Sequence, residues 1–336
     1  QKSAQWEELK YYVEECNVSG GNSTFWVNIP TLSSATNQIY MYYGNLAAHT
    51  TSDINALPHI EFGTLTLDNS IDGGTVRTVD LRYNYSSPVV VAYVVTRNDD
   101  ESVDVRVRNV QSSSFEIFME EPDDGTHGQE TIGWIVTEQG SFTDMNGLLR
   151  IEAGKHRTDT VHNEGDTFAG DSITFNDAFP STPVVVSTLN TYNNSDFMST
   201  VSYSPSTTGF LLEQEAGGAG SSGYNETIAW LAFSQGTGTI DGISYSISSI
   251  ASDGDNDGVD NSDPESASYS FAGNPVIVVD GTTGNGADGY WARGAGTYTN
   301  TQASFYAEED QIGDTERSHI SEGFNWVAFY PAGNLT

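Results

Sequence analysis

Apolar and polar positions alternate with a period of two along much of this 336-residue chain. Phe25, Val27 and Ile29 alternate, and so do Ile39, Met41 and Tyr43, with the turn-forming "TLSSATN" between them. Each run predicts a strand with one buried face. Val103, Val105 and Val107 alternate with Asp104, Arg106 and Arg108, which predicts valines inward and charges outward. "PVVVAYVVT" is a continuous apolar run, the pattern of a strand buried on both faces. Residues 1–16 read as a short helix or an extended lead-in. No stretch of ten residues after position 20 carries the helical period. The expected class is therefore all-β: tandem antiparallel β-sandwich domains of the jelly-roll or lectin kind.

The strands recur as a block. Pro88, Pro183 and Pro275 each open a β-branched run, and Trp134, Trp230 and Trp326 follow them by 46, 47 and 51 positions. Phe115, Phe210 and Phe305 precede those tryptophans by 19, 20 and 21. Three anchors kept in order in three copies mark an internal repeat. The expected organisation is a partial jelly-roll-type segment over residues 1–57, then sandwich repeats over 58–142, 143–242 and 243–336, strung end to end.

Two resemblances follow from these residues. "FWVNIP" and "NQIYMYYGN" resemble the W-V-x-x-P and I-Y-x-Y-Y-G-N ending of an uncharacterised, concanavalin-like domain of prokaryotic surface proteins, over roughly residues 5–50. The front half of that family is absent here. A few strands cannot bury Trp26, Tyr40 and Tyr42 alone. The resemblance therefore implies that another chain, fragment or repeat covers them, and a homo-oligomer or filament through the N-terminal strands is expected. The repeats, with "FEIFMEE" leading to "HGQETIGW", resemble H-type-lectin-like sandwiches of secreted prokaryotic adhesins. That group forms trimers and binds sugars, which implies cell-surface glycans as partners.

Charge narrows the setting. There are 46 acidic against 12 basic residues, a net charge of −34. The acids are scattered through the chain, so the charge belongs to the surface rather than to a tail. Concentrated salt, where the Debye length falls to about 3 Å, screens such self-repulsion. The balance resembles that of proteins from extreme halophiles, with an acidic marine surface protein as the alternative. Nucleic-acid binding is excluded for want of a basic patch. The single cysteine, Cys16, allows no intrachain disulfide, and no run of 18 apolar residues predicts a membrane span. The start at Gln1 without a signal peptide reads as a processed product or a piece whose front is missing. N-glycosylation sequons begin at Asn17, Asn22, Asn84, Asn193, Asn225 and Asn334.

Three groups of residues carry candidate chemistry. In "SDGDNDGVDNSDPES", Asp253, Asp255 and Asp257 stand at alternate positions, Gly258 follows, and Val259, Asp260, Asp263 and Glu265 come next. Oxygen ligands at loop positions 1, 3 and 5, a glycine at 6 and a carbonyl at 7 suit calcium. The loop resembles those of thrombospondin type 3 repeats and dockerins, and its alternative is a solvated acidic linker. Glu120, Glu121, His127 and Glu130 form a second group, mirrored by Glu308, Glu309, Asp310, His319 and Glu322. A loop-pinning network, a metal and a ligand contact are its three readings. The second copy keeps Glu213, Glu215 and Glu226 but has Gly223 in place of the histidine, which argues against catalysis common to all copies. Tyr290 and Trp291 read as loop aromatics, capping a core edge or facing sugar. No nucleophile elbow, zincin motif or phosphate loop occurs.

The expected function is non-enzymatic: an extracellular structural or adhesive protein, a subunit of a surface fibre or appendage of a halophilic archaeon. The alternatives are a lectin-like tail fibre or adhesin on a virion or cell surface, and the accessory region of a polysaccharide-degrading enzyme.

Overall fold

The computed structural model describes residues 9–15, 23–27, 29, 39–41, 59–68, 75–122, 125–143, 149–313 and 315–335. The chain divides into two compact units, Gln1–His59 and Ile60–Leu335. In the first, Tyr11–Glu15 and Thr24–Val27 pair antiparallel with Tyr12 opposite Trp26. Ile39, Tyr40 and Met41 form no strand and are 53%, 54% and 58% exposed. Asn17, Asn22, Pro30, Tyr42 and Tyr43 lie outside the described residues.

The second unit is built from strands, as the alternation predicts, paired antiparallel except for the short parallel pairing of Val161 and His162 with Gln214 and Glu215. Its described helical turns are the short Gly217–Ala219 and Val259–Asn261. Among the described residues no helix is long and apolar enough to cross a membrane. Each copy has two sheets. In the first sheet a central tryptophan strand (Glu130–Glu138, Glu226–Phe233, Phe324–Tyr330) lies between a lead strand (Ile60–Leu67, Arg150–Thr158, Ile243–Ile250) and a proline strand (Pro88–Val94, Val184–Leu189, Val276–Gly281). In the second sheet a strand ending in glutamate (Ser114–Glu120, Gly209–Glu215, Gln302–Glu308) is flanked by a short outer strand and by an inner strand (Asp104–Gln111, Ser199–Tyr203, Trp291–Tyr298). Gly63 and Gly154 lie directly under the indoles of their copies. A Cβ there would come within 2.6 Å of Trp134 and 2.3 Å of Trp230.

The copies are not strung end to end. Each first sheet gains a fourth strand from the tail of the preceding copy: Gly140–Thr143 joins the second and Gly236–Ile240 the third. Gly333–Leu335, the tail of the third copy, returns to pair with Ile60–Phe62 of the first and closes the ring. The three proline strands meet one another at the centre. Val89 and Val91, Val184 and Val186, and Ile277 and Val279 belong to one apolar cluster, whereas Phe210 and Trp230 sit in a separate core of the second copy. Valines on both faces of a proline strand can be buried only if one face has a partner outside its own sandwich. The other two copies supply it.

Each proline strand is an edge strand of its sheet, with unpaired backbone groups that need partners. Side chains of the next copy provide them. Thr188 Oγ1 accepts from Ala92 N and donates to its carbonyl, at 3.0 and 3.1 Å. Asn190 Nδ2 donates to Val90 O at 2.8 Å. Asp280 Oδ2 accepts from Ser187 N at 2.9 Å. Polar residues in an otherwise apolar run thus bridge the copies.

The third phenylalanine anchor differs from the other two. Phe115 and Phe210 meet Trp134 and Trp230 edge-on at 5.6 and 5.3 Å. In the third copy Ala303 takes the matching register and Phe305 stands two residues further on, against Phe324 at 5.1 Å. A shift of two keeps the side chain on the same face, so the core tolerates it.

Candidate functional site: the junctions between copies

A motif recurs at every junction. Thr96, Thr191 and Thr283 each begin a Thr-x-Asn turn, and Glu130, Glu226 and Glu322 follow 34, 35 and 39 positions later. All three glutamates are fully buried. One carboxylate oxygen of each accepts the threonine hydroxyl. The other accepts the backbone N–H of Asn98, Asn193 or Asn285, at 2.7–2.8 Å. The carboxylate fastens the turn after the proline strand to the start of the tryptophan strand.

A cation from the neighbouring copy completes this arrangement twice. Arg106, fully buried, bridges Glu120 of its own copy at 2.8 Å and Glu226 of the second at 3.2 Å. It also donates to the carbonyls of Thr191, Asn194 and Asp196 and lies 4.6 Å above the Tyr192 ring. Arg293 repeats this between the third copy and the first, bridging Glu308 and Glu130. Arg106 was expected to point outward. The alternation holds, but the supposedly solvent face is covered by another copy.

The two histidine groups form as closed networks. His127 Nδ1 faces Glu121 Oε1 at 3.0 Å and Nε2 faces Glu130 Oε1 at 3.2 Å. His319 Nδ1 bonds Glu309, and its Nε2 faces Glu322 Oε1 at 3.2 Å. Both rings are buried and both nitrogens of each are engaged, a geometry that pins a loop. Burial opposes charge on Glu130. Bonds from His127 and Thr96 and the Arg293 guanidinium outweigh it and hold that carboxyl below the usual range. Asp99, Glu101 and His127 also bring ligand atoms within 4.8 Å of one another.

The junction between the second and third copies is built differently. Val201 stands where the others have Arg106 and Arg293, and Glu213 where they have Phe118 and Tyr306. Gly284 is the middle residue of its Thr-x-Asn turn, matching Arg97 and Tyr192. Without the arginine, Glu215 pairs with buried His162 at 3.0 Å, and burial pushes the Glu213 carboxyl up to about 7. His162 stacks on Phe168 at 3.8 Å. Beside Phe168 opens a cavity of about 500 Å³. Phe168, Tyr203 and Ile250 give it apolar walls; Thr283, Asn285 and Asn325 are among its polar groups. Among the described residues no charged side chain lines it, although the chain carries −34. Thr282, on its wall, has a buried Oγ1 with no hydrogen-bond partner among the described residues. Neither His162 nor this cavity was expected from the sequence. The recurring Thr-x-Asn, with glycine in one copy, was the available signal.

In the aspartate-rich loop, Asp253, Asp257 and Glu265 converge, with ligand oxygens within 4.8 Å of one another. Burial pushes the Asp257 carboxyl up to about 6. Asp255 and Asp263 are exposed and lie outside this group. Asp260 Oδ2 accepts from Arg317 N at 2.9 Å, and the Val259 carbonyl from Ser262 N at 3.3 Å. Tyr290 and Trp291 are buried rather than exposed. Tyr290 Oη donates to Thr283 O of its own copy at 2.6 Å, and Trp291 Nε1 donates to Val103 O of the first copy at 3.0 Å. Of the described sequons, Asn84, Asn193 and Asn225 are exposed. The side-chain amides of Asn193 and Asn334 donate to Asn225 O and Tyr83 Oη.

A family model described as a domain of unknown function, DUF2341, matches residues 2–65. Halomucin of Haloquadratum walsbyi is 29% identical over 277 residues. That match covers 77% of this chain and 3% of Halomucin. No solved structure matches.

Proposed function

We propose that this chain is a non-enzymatic, extracellular adhesive protein of a halophilic archaeon, and that the cavity between its second and third copies takes a carbohydrate. The carrying observation is that one junction in three loses its arginine, its aromatic and its turn side chain together, and that this junction holds the large cavity. An uncharged lining of hydroxyls, amides and aromatic walls suits a neutral, polyhydroxylated ligand. The H-type-lectin-like pattern of the repeats and the similarity to Halomucin support a surface setting. On a virion the same head would serve as a receptor binder.

The test is a glycan array probed in concentrated salt. Gly284→Tyr restores the residue type found at position 192. It drives into Phe168, whose ring lies 2.4 Å from a Cβ at that position. It is expected to weaken glycan binding at least tenfold while the circular dichroism spectrum is unchanged. Equal binding by the variant, or no binding by the parent, would remove this reading.

Calcium belongs to the proposal at Asp253, Asp257 and Glu265. A divalent ion there would offset three converging carboxylates. Calcium is expected to slow amide hydrogen exchange across residues 253–265, and Asp253→Asn with Glu265→Gln to abolish the slowing. Identical exchange with calcium and with chelator would refute it.

A second reading concerns assembly. The exposed row of Ile39, Tyr40 and Met41 favours strand addition by another copy in a filament. Electron microscopy at high salt checks it, since particles that stay single at all concentrations are incompatible with it.

A further inference from the structure

A second, smaller cavity lies where all three copies meet. It measures about 20 Å³, room for one or two water-sized groups. Its walls come from the first copy through Tyr93 and Asp104, the second through Ser187 and Ser199, and the third through Asp280 and Trp291. Asp280 Oδ2 accepts from Ser187 N, Ser187 Oγ and Ser202 Oγ at 2.8–3.1 Å. Ser199 hydrogen-bonds Asp104. The Tyr93 hydroxyl is buried against this cavity, and among the described residues it has no hydrogen-bond partner.

Charge makes this arrangement unusual. The nearest guanidiniums, Arg106 and Arg293, are each already shared between two glutamates. Their fields still favour charge on Asp104, whereas Asp280 faces Asp104 with serine hydroxyls and a backbone N–H for company and no cation of its own. Hydroxyls satisfy lone pairs but do not offset charge, and an uncompensated buried carboxylate is expensive. Burial pushes the Asp104 carboxyl up to about 6 and that of Asp280 well above its ordinary value, in each case against its serine hydrogen bonds.

We infer that the centre of the three-copy ring is a calcium site, with Asp104 and Asp280 as carboxylate ligands and the Tyr93 hydroxyl as a neutral one. A doubly charged ion neutralises both carboxylates at once. Carboxylates, hydroxyls and water are the oxygen ligands that calcium takes, and its ligand distances of roughly 2.3–2.6 Å fit a cavity this small. Each copy contributes to the walls, so the ion would tie the ring together at its axis. This inference is independent of the carbohydrate cavity and of the aspartate-rich loop.

The experiment starts from protein whose loop is silenced by Asp253→Asn and Glu265→Gln, refolded in concentrated sodium chloride with or without calcium. Terbium is the probe, because Tyr93 and Trp291 on the cavity wall can sensitise its luminescence. One site per chain is expected, displaced by calcium. Asp104→Asn with Asp280→Asn is expected to weaken it at least a hundredfold, and Tyr93→Phe by less. Calcium should also raise the melting temperature of the loop-silenced protein by several degrees, a readout that holds even if the asparagine variant fails to fold. An unshifted melting temperature, or equal terbium titrations with and without the two aspartates, would mean that the cavity holds water only.

Discussion

Replacing Arg106 by methionine is expected to be among the most damaging single changes in this protein. The side chain has no exposure and joins Glu120 and Glu226, which are 1% and 0% exposed. Methionine keeps much of the volume but leaves two buried carboxylates without their cation and three carbonyls without a donor. Removing one partner of a buried pair costs about 3–5 kcal/mol. For a unit of this size that lowers the melting temperature by roughly 10 °C, at about 2–4 °C per kcal/mol. Arg106→Lys keeps the charge but loses the planar fork and the stacking on Tyr192, and should fall between methionine and the parent. Melting followed by circular dichroism in concentrated salt measures the order. A methionine variant that melts with the parent would show that the junction does not depend on this ion pair. The chain contains its own comparison. At the second-to-third junction valine already replaces the arginine, and there the second copy's His162 takes over Glu215.

That comparison shows what the sequence could reveal. A period of two and a recurring proline, phenylalanine and tryptophan specify strands and sandwiches, because each strand must present one face to its own core. They say nothing of a second partner. Asp104, Arg106 and Arg108 alternate with valines as solvent-facing residues do. Only the fold shows that Arg106 meets Glu226, 120 positions away. Trp291 escapes for the same reason: glycines around it suggest a loop, and the first-copy carbonyl of Val103 that its indole meets is distant in sequence. The apolar proline strand carried the hint. "PVVVAYVVT" was readable as buried on both faces, and a three-layered or ring-like packing is what that burial demands. In the aspartate-rich loop, spacing places Asp253, Asp257 and Glu265 in one segment. Spacing could not show that Asp260 is held by Arg317 N rather than turned toward Asp257.

The His319 network should make stability fall as the pH rises through the alkaline range. Burial disfavours the charged ring, but its bonds to Glu309 and Glu322 outweigh that and hold the imidazolium up to about 9. In the unfolded chain the ring titrates near 6.5. The folded state therefore binds the extra proton between about pH 6.5 and 9, and stability must decline across that window. The contribution is complete below 6.5 and gone above 9. A shift of this size corresponds to about 3 kcal/mol. Glu309 acts in the same direction one step lower. Burial raises its carboxyl to about 7 despite the histidine, so its own contribution is lost between the ordinary carboxylate range and 7. Urea unfolding at fixed high salt, which keeps surface repulsion screened, should show stability dropping from pH 6 to 9. His319→Gln should flatten the profile above 7 at the cost of a lower starting value. Proton magnetic resonance gives the direct check, since the His319 ring should titrate near 9. A midpoint near 6.5, or stability that holds level from pH 7 to 9, would show that the two glutamates do not retain the proton.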